Sequence, residues 1–155
     1  MAKGARKKLS PPPSRSSGGR ELEKPRTALL PGAGTSNERL TWRFGHVDHD
    51  GPWGFDRIPS QTLGQILRKL RDCESLTLNE LRRSTDLFKE YDLPGGLCSA
   101  ALDRLSAMGR ELMPSIHRLR LSGTQRLYGF VDGNTFHVVW WDPEHEVYPS
   151  VKRHT

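Results

Sequence analysis

The densest concentration of reactive side chains is the C-terminal stretch HVVWWDPEHEVYP, residues 137–149. His145 carries an imidazole, the natural proton-transfer group near neutral pH. Glu144 beside it carries a carboxylate, which gives or takes a proton once its surroundings adjust its affinity. Pro143 fixes the backbone ahead of both and so aims them. Tyr148 offers a flat ring for stacking and a phenolic proton. Upstream, Arg118, Arg120 and Arg126 alternate along a strand or face one another across neighbouring strands, and planar guanidiniums so placed clamp a phosphate through paired N–H bonds. Each feature also has a plainer use. Arginines on a strand discourage pairing with other molecules, and the histidine turn works equally well as a capped loop packed down by Tyr148 and Pro149.

Other combinations carry less chemistry. HVDHD, residues 46–50, supplies His46, Asp48, His49 and Asp50, ligand types suited to zinc or another first-row metal. Neighbours in one loop seldom point at one ion and no second cluster completes the set, so a turn built on Asp50-Gly51 accounts better for the segment. GPWGF, residues 51–55, either displays Trp53 and Phe55 to a partner or packs them over the core. GAG, residues 32–34, follows no strand and is not a nucleotide loop. The serines and cysteines lack triad partners. Cys73 and Cys98 have no CxxC spacing and sit in helical surroundings, as reduced, packed thiols do. No metal and no cofactor is expected.

The elements that must position the reactive groups are legible from periodicity. LTWRFGHV, residues 40–47, alternates with period two and predicts a first strand. DHDGPWGFDRIP, residues 48–59, is full of breakers and reads as a loop. Pro59 and Ser60 open a first helix, with Ser60 as its cap. Along it Leu63, Ile66, Leu67 and Leu70 form one apolar stripe. Thr77 and Glu80 have capping-box spacing for a second helix with Leu78 and Leu81 inward, fraying before DLPGG. Residues 97–109 give a third helical piece, with Leu97, Ala101, Leu105 and Met108 inward and Gly109 as its stop.

Three strands follow, at about 116–121, 126–132 and 135–141. SGT separates the first two, and DGN makes a tight hairpin of the last two. Strict alternation puts Leu127, Gly129 and Val131 on one face with Phe136, Val138 and Trp140. It puts Arg126, Tyr128 and Phe130 on the other with His137, Val139 and Trp141. The first face is the expected core side. The second, mixing cation, phenol, imidazole and large hydrophobes, is the expected stacking surface.

This order of elements is an α+β plan: an N-terminal strand and two to three helices packed on a C-terminal antiparallel sheet. It resembles the RelE/ParE toxin superfamily in topology over about 40–155. In residues the likeness covers RLYGFVDGNTFHVVWWDPEHEVYP, 126–149: an arginine opening a strand, an acid-glycine hairpin, an aliphatic strand, then a polar turn with a histidine and a tyrosine. Members are mostly ribosome-dependent RNases that cut mRNA without a metal, or gyrase inhibitors, held silent by a small antitoxin protein. The resemblance therefore implies a toxin-like RNase or translation-directed effector with RNA or the ribosome as target. Arg126, His145, Glu144 and Tyr148 would be its catalytic groups, and Arg118, Arg120, Tyr128, His137, Lys152 and Arg153 its nucleic-acid contacts. His154 lies on the same tail. The basic cluster that ribosome-dependent members carry on their helices is thinner here, with Arg68, Lys69, Arg71, Arg82 and Arg83 partly balanced by acids. The rival readings are a noncatalytic nucleic-acid- or protein-binding module on the same scaffold, and a structural partner in a toxin-antitoxin or phage-encoded complex.

Composition divides the chain. Only 34% of its 155 residues are apolar, against about 45–50% in ordinary globular domains. The deficit lies in residues 1–38, rich in Pro, Gly and Ser, which cannot bury enough surface to offset their ordering entropy and are expected to be a disordered arm. Residues 39–155 are the expected α+β domain. Residues 1–26 hold eight Lys or Arg against Glu21 and Glu23, whereas the rest of the chain holds sixteen of each sign, so the +6 net charge belongs to the arm. A flexible polycation neutralises phosphates without reading sequence, or simply keeps a protein in solution. There is no apolar run of about 18 residues and no secretory or transit pattern, so the expected location is the cytoplasm, with no membrane partner.

Overall fold

The computed structural model describes residues 38–149. All of the expected arm except Glu38, and the tail residues Lys152, Arg153 and His154, lie outside the described residues. The elements are β1 (Thr41–Arg43), a short 3-10 turn (Phe55–Arg57), α1 (Ser60–Cys73), α2 (Leu78–Arg83), β2 (Phe88–Asp92), α3 (Ser99–Ala107), β3 (Ser115–Ser122), β4 (Gln125–Asp132) and β5 (Thr135–Asp142). The five strands form one sheet in the order β1-β5-β4-β3-β2. β2 to β5 pair antiparallel, while β1 runs parallel to β5, so the sheet is mixed. No helix among the described residues is long and apolar enough to cross a membrane.

Local chemistry explains most boundaries. The tight turns after β3 and β4 place Gly123 and Gly133 at φ 50° and 60°, where glycine avoids the Cβ clash that other residues meet. α2 starts on the capping box: the Glu80 N–H donates to Thr77 Oγ1 at 3.2 Å and the Thr77 N–H donates to Glu80 Oε2 at 2.7 Å. α1 differs from expectation. Its cap position is Pro59 with no side-chain hydrogen bond, and Ser60 is already helical. Of its stripe, Ile66 and Leu70 are buried but Leu63 and Leu67 are exposed. β1 is also shorter than expected. Beyond it the loop continues along the β5 edge, where the Asp48 N–H donates to the Val139 carbonyl at 2.9 Å and the Trp141 N–H to the Trp53 carbonyl at 3.0 Å.

Both faces of the sheet are covered. On one face α1 and α2 pack Ile66, Leu70, Leu78 and Leu81 against Phe88, Leu119, Leu127, Phe136, Val138 and Trp141. On the other, α3, Trp53 and Val147 pack against Tyr91, Ile116, Tyr128, Phe130, Val139 and Trp140. The helices thus do not all lie on one side, and the second face is no open stacking surface. Two further expectations fall with it. β2, at the edge beside β3, stands where the sequence predicts the tail of a helix. Trp140 and Trp141 exchange faces, because Gly129 pairs with Val138 and Tyr128 with Trp140, leaving Val139 as an extra residue in a bulge. One inserted residue inverts every side chain beyond it.

The second layer is pinned by Asp48, which is 3% exposed. Its carboxylate accepts from Arg104 Nε at 2.7 Å and Nη2 at 2.6 Å, from Trp140 Nε1 at 3.0 Å and from the Gly51 N–H at 3.2 Å. These bonds, Arg104 above all, hold its carboxyl below the usual aspartate range.

Candidate functional site

Register places the cations. On the α3 face of the sheet, Lys89 of β2 lies opposite Arg118 of β3, which lies opposite Tyr128 of β4, which lies opposite Trp140 of β5. In the adjacent row Arg120 lies opposite Arg126, and Arg126 opposite Asp142. Directly opposed residues on paired strands hold their Cβ atoms about 4.5–5.5 Å apart. Arg118, Arg120, Arg126, Tyr128 and Asp142 are therefore one patch at the end of the sheet where β5 runs into the C-terminal turn.

That turn is shaped by Asp142, which is fully buried. Its two oxygens accept from the Glu146 N–H at 3.0 Å and the Val147 N–H at 2.9 Å. Thr124 donates its hydroxyl to the Pro143 carbonyl at 2.6 Å, the Cys98 N–H donates to the Val147 carbonyl at 2.9 Å, and Val147 is buried in the second core. His145 takes up φ 59°, a left-handed conformation in which histidine is among the more tolerated residues. The chain thereby folds back so that His145 comes within electrostatic reach of Arg126, Asp142 and Arg118.

The electrostatics are those of a crowded cationic recess. Arg126 is 8% exposed, and its Nη1 donates to the carbonyls of Gly123 at 2.7 Å and Gln125 at 2.9 Å. Burial, then the repulsion of Arg118 and Arg120, lowers its pKa. Arg118 is 9% exposed, and its Nη2 donates to the carbonyls of Thr85 at 3.1 Å and Asp86 at 3.0 Å. Burial lowers the His145 pKa, and Arg126 adds to the effect while Asp142 opposes it. The imidazole is thus held neutral and able to accept a proton. Tyr128 is fully buried and its hydroxyl is pushed well above the usual phenol range, chiefly by burial and next by Asp142.

The expected site residues sort themselves accordingly. Arg118, Arg120, Arg126 and His145 come together. Tyr128 lies among them but under the second layer, so its ring offers no stacking face to a ligand. Tyr148 stacks instead on Tyr91, with centroids 3.9 Å apart and planes 15° from parallel. A side chain at Gly96 would strike its hydroxyl edge, so Tyr148, half-buried, braces the turn. Glu144 is exposed on the turn, and among the described residues it forms no ion pair. His137 is separate: it pairs with Phe130, four positions along β4 from Arg126, roughly 13 Å at about 3.3 Å per residue. It packs on His46, whose Nδ1 lies 2.6 Å from Arg110 Nη2.

Asp142, Tyr91 and Lys89 belong to the patch and were absent from the sequence-based set. Asp142-Pro143 is a turn-forming dipeptide and points to the first; nothing marks the other two while the sequence predicts helix where β2 lies. Of the HVDHD group, Asp48 is committed to Arg104 and Trp140, and His49 pairs with Asp56 at 3.1 Å on the surface. Among the described residues no three His, Cys, Asp or Glu side chains are placed to share a metal ion. No protein-family model, no curated protein and no solved structure matches the chain.

Proposed function

We propose that this protein is an RNA-directed effector of toxin type, a ribonuclease whose working end is the patch formed by Arg118, Arg120, Arg126 and His145. What carries the reading is one observation: cations from two strands and an imidazole from the C-terminal turn, chosen in the sequence for their chemistry, converge at one end of the sheet. In the reaction the neutral imidazole of His145 takes the proton of a ribose 2′-hydroxyl. The 2′-oxygen bonds to phosphorus, the bond to the 5′-oxygen breaks, and that oxygen leaves as a hydroxyl on taking a proton from water, whose hydroxide is neutralised by the proton that the His145 imidazolium releases. A 2′,3′-cyclic phosphate remains. The guanidiniums face the phosphoryl oxygens, where negative charge grows during the step. The RelE/ParE resemblance adds a small antitoxin protein as the silencing partner.

A noncatalytic RNA-binding module is the second reading. It is favoured by the way Arg118 and Arg126 already brace backbone carbonyls, a use that holds the recess rigid whether or not a bond is cut. Incubating purified protein with end-labelled single-stranded RNA separates the two. The ribonuclease reading expects cleavage to cyclic-phosphate ends, reduced about 100-fold or more at unchanged thermal stability in His145→Asn, since asparagine also tolerates the left-handed backbone at this position. RNA that is retained but never cut leaves the binding module standing alone.

A further inference from the structure

Resting on that reading of the patch, we infer that Arg118, Arg120 and Arg126 form a receptor for the dianionic phosphate monoester at an RNA terminus, in preference to the singly charged diester within the strand. Charge is the first reason. Leaving aside Lys89, which lies 5.3 Å over the Tyr91 ring, three guanidiniums share this end of the face with one carboxylate, Asp142. They exceed it by two positive charges. No carboxylate forms an ion pair with Arg118, Arg120 or Arg126 among the described residues. Asp142 has both oxygens engaged by backbone N–H groups of the turn, and Glu144 and Glu146 are exposed. A terminal phosphate carries a charge of about −1.5 to −2 at neutral pH and cancels the excess; an internal diester carries half as much and leaves a guanidinium uncompensated.

The second reason is unmet hydrogen bonding. Burying a donor without a partner is expensive, yet among the described residues the Tyr128 hydroxyl and the Nε groups of Arg118 and Arg126 are buried with no hydrogen-bond partner. The other indoles and the imidazole nitrogen of His117 in that condition are spread over the molecule, whereas these three share adjacent cross-strand positions. Arg120 and Arg126, like charges directly opposed on paired strands, repel one another. A phosphate seated at the exposed Arg120 relieves that repulsion, and a terminal phosphate presents three acceptor oxygens where a diester presents two free ones. Arg118 and Arg126 are buried, 9% and 8% exposed, with Arg120 exposed beside them. A protruding chain end reaches them more readily than a phosphate flanked by sugars on both sides.

The test uses the full chain and three fluorescent single-stranded RNAs of one short sequence: 5′-phosphorylated, 3′-phosphorylated, and hydroxyl at both ends. Binding is read by anisotropy at fixed ionic strength. The inference expects one phosphorylated end to bind about tenfold tighter than the hydroxyl RNA, the worth of one charge-assisted hydrogen bond, and which end it is identifies the source. The basic N-terminal residues also attract the extra terminal charge, but equally in the wild type and in Arg120→Ala, so comparing the two isolates the patch. The preference is expected to fall to that background in Arg120→Ala, an exposed position whose loss relieves the repulsion with Arg126 and so does not lower the unfolding midpoint, and inorganic phosphate is expected to compete. Equal affinity for the three RNAs overturns the inference. If RNA is cleaved without end preference, this inference fails and the ribonuclease survives; an end preference without cleavage reverses the outcome.

Discussion

Asp142 determines where His145 sits, although it has no part in proton transfer. Its buried carboxylate replaces water for two backbone N–H groups, and without it the Glu146 and Val147 amides lose their acceptors. Each unsatisfied buried donor costs about 1–3 kcal/mol. Asp142→Ala is therefore expected to lower stability by about 3 kcal/mol in urea unfolding and to release the turn, abolishing RNA cleavage even though no proposed reacting group has changed. Asp142→Asn, which keeps one carbonyl oxygen, is expected to lose less. A second consequence at this scale concerns pH. His46, His117 and His145 all have pKa values lowered from the ordinary 6.5, in each case chiefly by burial. The unfolded chain thus takes up these protons first, at about 6.5, and the stability present above that value is lost as pH falls through the lower folded pKa values. Each histidine within its window contributes a slope of up to about 1.4 kcal/mol per pH unit. Thermal unfolding at constant ionic strength is expected to show the midpoint falling between pH 7 and 5, before the Asp48 carboxylate begins to protonate. A midpoint flat over that range removes this account of the three imidazoles.

Among the elements, the β4–β5 hairpin shows how far the sequence could be read. The strand limits, the turn at Gly133 and the inward sets Leu127, Val131, Phe136 and Val138 follow from period-two alternation. What alternation cannot reveal is the bulge, because the run Val138-Val139-Trp140-Trp141 is apolar at every position and a slip of one leaves no mark in residue type. The same double burial hid β2. Phe88 and Tyr91 are both buried, but on opposite faces of the sheet, and their spacing of three imitates a helix stripe. The patch was legible in its arginines and histidine, whose chemistry does not depend on layers, and illegible in Asp142 and Tyr91, whose roles come from what covers the sheet. Gly129 is the physical condition for the bulge. A methyl there would strike the His137 carbonyl and the edge of the Phe136 ring, neither of which has room to move in a filled core. Gly129→Ala is expected to cost about 2–3 kcal/mol, as overpacking does, with an unchanged denaturant slope. Because Trp140 and Asp142 depend on that bulge for their face, loss of RNA binding is expected in parallel.

At the scale of the whole molecule, the charge is divided from the architecture. The layers described by residues 38–149 hold the patch, whereas the net positive charge comes from the eight Lys or Arg of residues 1–26. The Glu38 carbonyl accepts from the Leu78 N–H at 3.1 Å, and this bond remains when residues 1–37 are deleted. Deletion is thus expected to leave the unfolding midpoint unchanged. Its effect on RNA binding follows from counterion release, in which each neutralised phosphate on a single strand contributes about −0.7 to the slope of log affinity against log salt. Eight arm cations supply up to about −5 to −6, and the three guanidiniums of the patch about −2. The truncated chain is expected to keep only the smaller slope, and to keep whatever preference it has for a phosphorylated end, since that preference is set by the recess. A truncated chain with the full-length slope shows that the arm takes no part in binding. One that loses the end preference instead places the phosphate receptor in the arm and removes it from the sheet.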